Sequence, residues 1–284
     1  MIVDSHQHFW KLSRGDYSWL TPSAGVLYRD YLPGDLAPIL ERNGVSATVL
    51  VQAAPSEAET HFLFELGEQH SLIAGIVGWV EFDAADARER IAALVAAGRG
   101  KLKGLRPMIQ DIADPRWVTR PALDAAFEAM VAHDVVFDAL VKPAHLPVLR
   151  ERLLRHPRLR AVLDHAGKPD IASGALDTWA RELERLARDT SIHCKLSGFL
   201  SEAGERRSDG DLEHCVAQVF ACFDAERVLW GSDWPVLNGV GSYEGWLELS
   251  QGLIERFAPG SAGQVLAGNA RRLYDLAPGG MERT

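Results

Sequence analysis

Cysteine is scarce in this chain: Cys194, Cys215 and Cys222 are the only 3 in 284 residues, and no Cys-x-x-Cys pair occurs. An odd, unpaired set suits neither a disulfide framework nor a thiolate zinc site, so the three read as small core residues. Long apolar runs are missing too, since none approaches the ~18 residues of a membrane span. At the N-terminus Asp4, His6 and His8 stand where a signal peptide needs an apolar stretch, and the chain reads as cytoplasmic with no membrane partner. Positive charge is in deficit, with 30 Lys and Arg against 39 Asp and Glu and a formal net charge of -9. That balance removes the basic face that nucleic acid or an anionic membrane requires and leaves a small molecule as the expected partner. A Gly-x-Gly-x-x-Gly turn after the first apolar run is also absent, which argues against a dinucleotide-binding sheet.

What is present is a regular alternation. Short β-rich runs recur at Ile2-His6, Ala47-Gln52, Ile73-Val80, Leu102-Arg106, Val135-Val141, Ala161-Asp164, Ile192-Ser197 and Val228-Gly231. Segments with helical spacing lie between them, such as Ala84-Ala97 with Ile91, Leu94 and Val95 on one face, and Ser56-Gln69 opening on a Ser56-x-x-Glu59 capping box. Gly44 and Gly98 fall where helices should stop. Strand and helix alternate without a linker or a shift in composition, and eight such repeats favour parallel βαβ units closed as an α/β (β/α)8 TIM barrel, one domain over residues 1–284, with an open doubly wound sheet as the alternative. The connection Phe9-Leu32 carries Trp10, Tyr17, Trp19, Tyr28 and Tyr31, enough to pack over the barrel mouth or to seal it with a small core of its own.

Barrels of this kind work at the C-terminal ends of their strands. At those ends stand His6-Gln7-His8, Glu81, Arg106, Lys142, Asp164-His165 and Asp233-Trp234. Side chains two apart share a strand face, so His6 and His8 can hold one cation through imidazole nitrogens or form a hydrogen-bonded polar pair. His165 sits where a strand becomes a loop, an address for catalysis or for a cap. Asp233 ends a buried strand, where a carboxylate needs a cation, a histidine or several donors, and where it can act as a general base toward water or cap the next turn. His61, His70, His133, His156 and His214 fall on predicted helices or their ends, and His145 faces the pocket or starts a helix.

Asp4-Ser5-His6-Gln7-His8, Val162-Leu163-Asp164-His165-Ala166-Gly167-Lys168-Pro169, Gly231-Ser232-Asp233-Trp234-Pro235 and Gly268-Asn269-Ala270-Arg271-Arg272-Leu273-Tyr274 together resemble the amidohydrolase 2 branch of the amidohydrolase superfamily, nearly end to end. Within it, Asp164-His165-x-Gly167-Lys168-Pro169 and Leu105-Arg106-Pro107 are most similar to lactonases that open sugar-acid lactones. The resemblance implies a hydrolase acting on an L-fuconolactone-like sugar lactone, with Asp233 and His165 catalytic. It implies one divalent metal, Zn2+, held among His6, His8, Glu81, His165 and Asp233; Arg106-Pro107 stands where two-metal relatives carry a carboxylated lysine, and some related lactonases use no metal. Arg106, Lys168 and Trp234 are the expected substrate contacts, with structural salt bridges as the other reading of the two cations. The branch also contains nonoxidative decarboxylases, which makes a metal-dependent decarboxylase or hydratase of an unsaturated or aromatic acid the alternative. Gly268-Asn269-Ala270-Arg271 reads as structural, with Asn269 fixing the last helix. A homo-oligomer is compatible with all of this.

Overall fold

The eight apolar runs become eight parallel strands in sequential order in a computed structural model, described over residues 1–204 and 209–277. They are β1 (Ile2–Gln7), β2 (Val45–Val51), β3 (Ile73–Gly78), β4 (Leu102–Leu105), β5 (Val136–Ala139), β6 (Ala161–Leu163), β7 (His193–Leu196) and β8 (Val228–Trp230). Between them run α1 (Pro33–Arg42), α2 (Glu57–Gln69), α3 (Ala87–Ala97), α4 (Asp124–Ala132), α5 (Leu146–Arg155), α6 (Asp177–Asp189), then α7 (Phe199–Ala203) and α8 (Asp209–Phe223) before β8. Helices α9 (Tyr243–Phe257) and α10 (Asn269–Leu273) follow. Closure comes from residues just past β8: Asp233 N donates to His6 O at 2.8 Å and His8 N to Trp234 O at 2.7 Å. The architecture is the (β/α)8 barrel that the alternation predicts. Among the described residues no helix is long and apolar enough to cross a membrane.

The lower interior is a plug of β-branched and aliphatic side chains, Val3, Val49, Val77, Val136, Val162 and Leu229, each at 0% exposure. Helix α10 closes this end, because Asn269 Nδ2 donates to Val228 O at 2.6 Å and to Ala225 O at 2.7 Å, and Tyr274 follows it into the interior. Asn269 therefore fixes the last helix.

At the other end the β1–α1 connection folds over the mouth. Trp10 packs edge-on against Trp19 and Tyr31, with ring centroids 5.2 and 5.4 Å apart, and Tyr31 packs on Trp234 at 5.2 Å. Trp10, Tyr17 and Tyr31 are buried, whereas Trp19 and Tyr28 are exposed, so part of the connection forms a small core and part faces solvent. Trp19 Nε1 also donates to Ala53 O at 2.9 Å, tying the connection to the end of β2.

Only half of the expected capping box forms. Ser56 Oγ accepts from Glu59 N at 3.0 Å, but the Glu59 carboxylate turns inward and accepts from Ala53 N at 3.0 Å and Ala54 N at 2.7 Å. Two orphan amides of the β2–α2 turn need an acceptor more than the helix start does. Burial raises the Glu59 carboxyl to about 7, against the pull of those amides. A carboxyl whose pKa rises on folding contributes stability at low pH that is lost as pH climbs through the folded value. Replacing Glu59 by Gln keeps one acceptor and removes the ionisation. The thermal midpoint of Glu59→Gln relative to the parent should therefore rise between pH 4.5 and 7, by the equivalent of about 3 kcal/mol at the plateau; a difference that is flat with pH contradicts the assignment.

Candidate active site

Period-two alternation carries the plug upward into a polar layer. Val136 and Asp138 share one face of β5, Val162 and Asp164 continue one face of β6, and Lys195 points inward from β7 between Cys194 and Leu196. Lys195 Nζ lies 2.5 Å from Asp138 Oδ2, 2.9 Å from Asp164 Oδ1 and 3.2 Å from His6 Nδ1. Tyr274 OH donates to Asp138 Oδ2 at 2.6 Å from the α10 side. None of Asp138, Asp164, Lys195 and His6 has any exposed surface. Burial pushes the Asp138 carboxyl up to about 6, with Lys195 pulling against it. Burial would raise Asp164 as well, but Lys195, His6 and Arg106 hold it well below the usual carboxylate range.

Arg106, at the end of β4, connects this layer to the mouth. Its Nη1 lies 3.3 Å from Asp164 Oδ2 and 3.4 Å from His6 Nε2. Gln52, at the end of β2, receives the rest of the guanidinium: Nη2 donates to Oε1 at 2.8 Å and to the Gln52 carbonyl, and Nε donates to Oε1 at 3.2 Å.

Above it sits Asp233. Its Oδ1 is approached by His8 Nε2 at 3.3 Å, His6 Nε2 at 3.6 Å and His165 Nε2 at 4.0 Å. His8 Nδ1 donates to Val51 O at 2.7 Å, a contact that orients the ring with Nε2 toward Asp233. His165 Nδ1 contacts Ser197 Oγ at 2.9 Å. Burial would raise the Asp233 carboxyl, but His165, His8 and His6 outweigh it and keep the group ionised below the usual range. Burial lowers His165 to about 4 despite Asp233, so its ring is neutral around pH 7. His8, His165 and Asp233 retain 4, 6 and 5% exposure, so the cluster opens to solvent on their side.

The backbone is bent to achieve this. His165, Ala166, Gly167 and Lys168 all have positive φ, from 50 to 71°. Each non-glycine residue in that region costs roughly 1–2 kcal/mol. The turn lets Asp164 point into the barrel and the very next side chain, His165, reach the mouth. Trp179 Nε1 holds it by donating to Ala166 O at 2.7 Å. Gly198 makes room for the ring, because a Cβ there would stand 2.6 Å from His165 Nδ1.

His6, His8, Arg106, His165 and Asp233 are thus brought together, and three sequence expectations are not. Glu81 is exposed and outside the cluster: β3 ends at Gly78, so Glu81 lies beyond the strand on a rim cleft of about 530 Å3 with Trp79, Phe82 and Met108. Lys168 is bound to Gln110 Oε1 at 3.0 Å and Glu202 Oε1 at 3.1 Å, the salt-bridge reading of that residue. Trp234 is 1% exposed and wedged between Phe9 and Tyr31, so it walls the mouth and offers no open face. His145 Nδ1 accepts from Lys142 N at 3.1 Å and serves as a cap. Asp138, Lys195, Ser197, Gln52 and Tyr274 were not anticipated. The signal for the first two was available, since a Lys or Asp inside an apolar strand must have a partner.

His6, His165 and Asp233 offer ligand atoms within 4.8 Å of one another, and His8 Nε2 joins them through Asp233. Imidazole nitrogen and carboxylate oxygen at such spacing, with an orienting carbonyl behind His8, suit a zinc-type divalent ion, so the residues present fit one.

Fold and site together define a (β/α)8 barrel with a histidine–carboxylate centre at its C-terminal mouth, the class that activates water or polarises carbonyls. The amidohydrolase family (Amidohydro_2) matches residues 3–276, and the chain belongs to it. An L-fucono-1,5-lactonase of Burkholderia ambifaria is 44% identical over 278 residues, covering 96% of this chain and 95% of that protein. An L-fucono-1,5-lactonase of Burkholderia multivorans is 38% identical, covering 96% of each. The crystal structure of a Burkholderia multivorans amidohydrolase with bound zinc superimposes with a TM-score of 0.91 at 36% identity, over 98% of this chain and 100% of that one.

Arg106→Met tests the charge balance. It leaves Asp164 with Lys195 as its remaining buried cation, and removing one partner of a buried pair costs about 3–5 kcal/mol. Denaturant unfolding should show a loss of that size, and an unchanged midpoint contradicts the compensating role.

Proposed function

We propose that this chain hydrolyses a sugar-acid lactone of the L-fuconolactone class to its open-chain acid. The observation that carries the reading is Asp233: an ionised carboxylate at the mouth, met on one oxygen by three imidazoles, with Arg106 alongside. Two relatives named L-fucono-1,5-lactonase, matched along nearly their whole lengths, support the substrate class.

Water beside Asp233 adds to the lactone carbonyl as Asp233 accepts its proton. Arg106 Nη1 and the imidazole N–H facing the pocket donate to the oxygen on which negative charge develops. When the tetrahedral species collapses, the ring C–O bond breaks and Asp233 returns the proton to the departing ring oxygen, which becomes the new hydroxyl. The low exposure of the centre strengthens each of these contacts by keeping bulk water out. We assign His6, His8, His165 and Asp233 as the residues that would hold a zinc ion; when bound, it supplies Lewis acidity toward the carbonyl and brings a water to a pKa of about 7. Glu81 has no place in this assignment. We read the enzyme as a cytoplasmic one of carbohydrate metabolism working on a free small molecule, consistent with a net charge of -9.

Asp233→Asn preserves shape and removes the proton acceptor. With lactone hydrolysis followed by acid release, turnover should fall by roughly 10²–10⁴-fold while circular dichroism and the thermal midpoint stay close to the parent. Activity near the parent level sinks the mechanism.

A further inference from the structure

Directly below the catalytic centre lies a charged layer to which the mechanism above assigns no step, and its contacts bear on which nitrogen of His6 carries the proton. Each ring nitrogen faces one donor and one acceptor. Nδ1 lies 3.2 Å from Lys195 Nζ and 3.5 Å from Asp164 Oδ1, and Nε2 lies 3.4 Å from Arg106 Nη1 and 3.6 Å from Asp233 Oδ1. A neutral imidazole must accept at one nitrogen and donate at the other.

Counting protons separates the two arrangements. An ammonium has three donors, and Lys195 has three acceptor atoms within reach: Asp138 Oδ2, Asp164 Oδ1 and His6 Nδ1. If Nδ1 carried the proton, one Lys195 N–H would be left facing another N–H at 0% exposure, the costly case of a buried unpaired donor. If Nε2 carries it, the displaced donor is one N–H of Arg106, which retains 3% exposure at the mouth and can turn to a water or a substrate oxygen. The Lys195 contact is also the shorter of the two, and its charge is concentrated on one atom where the guanidinium's is spread over the group.

We infer that Lys195 is a positioning residue that fixes the tautomer of His6, holding Nδ1 as an acceptor so that the Nε2 proton points at Asp233 and the reacting oxygen. Lys195 has no exposed surface with which to meet a substrate and acts through His6. The same contact leaves an Arg106 N–H free for the carbonyl, so one buried ammonium prepares two donors at the mouth. A cation can use the Nε2 lone pair only after the proton moves to Nδ1, against Lys195. The kinetic consequence rests on the lactonase reading, whereas the tautomer does not.

The test uses the full chain with histidine nitrogens labelled by 15N, any zinc dialysed out and its absence checked by elemental analysis. Long-range proton–nitrogen spectra then report the tautomer, with the His6 signals identified by their loss in His6→Asn. Expected for the parent is a protonated-type shift at Nε2 and an unprotonated-type shift at Nδ1. Lys195→Met should reverse the pattern, because Nδ1 then has Asp164 to donate to, and should lower kcat by about 10²-fold with KM little changed. Should that variant fail to fold, the charge-balanced pair Asp138→Asn with Lys195→Met gives the same readout, while Asp138→Asn alone keeps Lys195 and retains the parent tautomer. A protonated Nδ1 in the zinc-free parent overturns the inference, as does an unreversed pattern once Lys195 is gone. Failure of the parent to open lactones would instead remove the functional reading and leave the spectra to decide the role of Lys195.

Discussion

Lys195, Asp138 and Asp164 occupy a region of the barrel that water does not reach, and the rest of the site depends on how their charges are balanced. Unpaired ions there would each carry several kcal/mol of desolvation cost. The interior answers with tight contacts between Lys195 and both carboxylates, a phenol from the C-terminal end, and a guanidinium that reaches down from the mouth. The two cations face three carboxylates, and the unbalanced negative charge is Asp233, the one nearest the opening. An anion so placed attracts what the chemistry requires, an imidazole N–H, a water proton or a metal ion. Electrostatic balance in the core therefore fixes where the proposed base stands.

Local strain makes the same point at the level of the backbone. Four consecutive residues from His165 to Lys168 sit in the left-handed region, and Asp233 joins them with a φ of 59°. In a regular strand Asp164 and His165 would point to opposite faces. The turn allows both to serve the site, one beneath it and one within it. Packing holds the turn in place: Trp179 binds the Ala166 carbonyl, Ser197 meets His165 Nδ1, and Gly198 leaves space where any side chain would strike the ring. Strain of this kind persists only when surrounding contacts over-determine it, and it concentrates at functional sites.

The same physics explains what could be read from residues alone. Alternating β-rich and helical periodicity carries the barrel, because each strand must bury both faces and each helix one. His6, His8, His165 and Asp233 stand out because polar residues at the ends of apolar runs break the pattern. Lys195 and Asp138 do not stand out in this way: they lie within the runs Ile192-Ser197 and Val135-Val141, and only the requirement for a buried partner marks them. Their partners are 57 residues apart along the chain, so the pairing becomes visible only when the barrel closes. Glu81 fails for a related reason. The run Ile73-Val80 reads as strand to its end, but pairing stops at Gly78, and beyond it the two-residue alternation no longer decides which way a side chain points.

The proposed reaction assigns chemistry and selectivity to different parts of this molecule. The charged layer and the Asp233 centre belong to strands and strand ends whose side chains are locked by several contacts each. The rim is assembled from the connections between strands: the aromatic β1–α1 segment with Trp10 and Tyr31, Trp234 wedged against it from beyond β8, and Lys168 bridging Gln110 after β4 and Glu202 in α7. A sugar lactone presents an ester carbonyl common to the class and hydroxyls that distinguish its members. In the proposed reaction the carbonyl meets Arg106 and Asp233 at the bottom of the mouth, which leaves the hydroxyls to be read by the rim. On that proposal a substitution in the rim connections acts on which lactone binds, and one at Arg106, Lys195 or Asp233 on whether any lactone opens. That separation lets one barrel keep its reaction while its connections select the substrate.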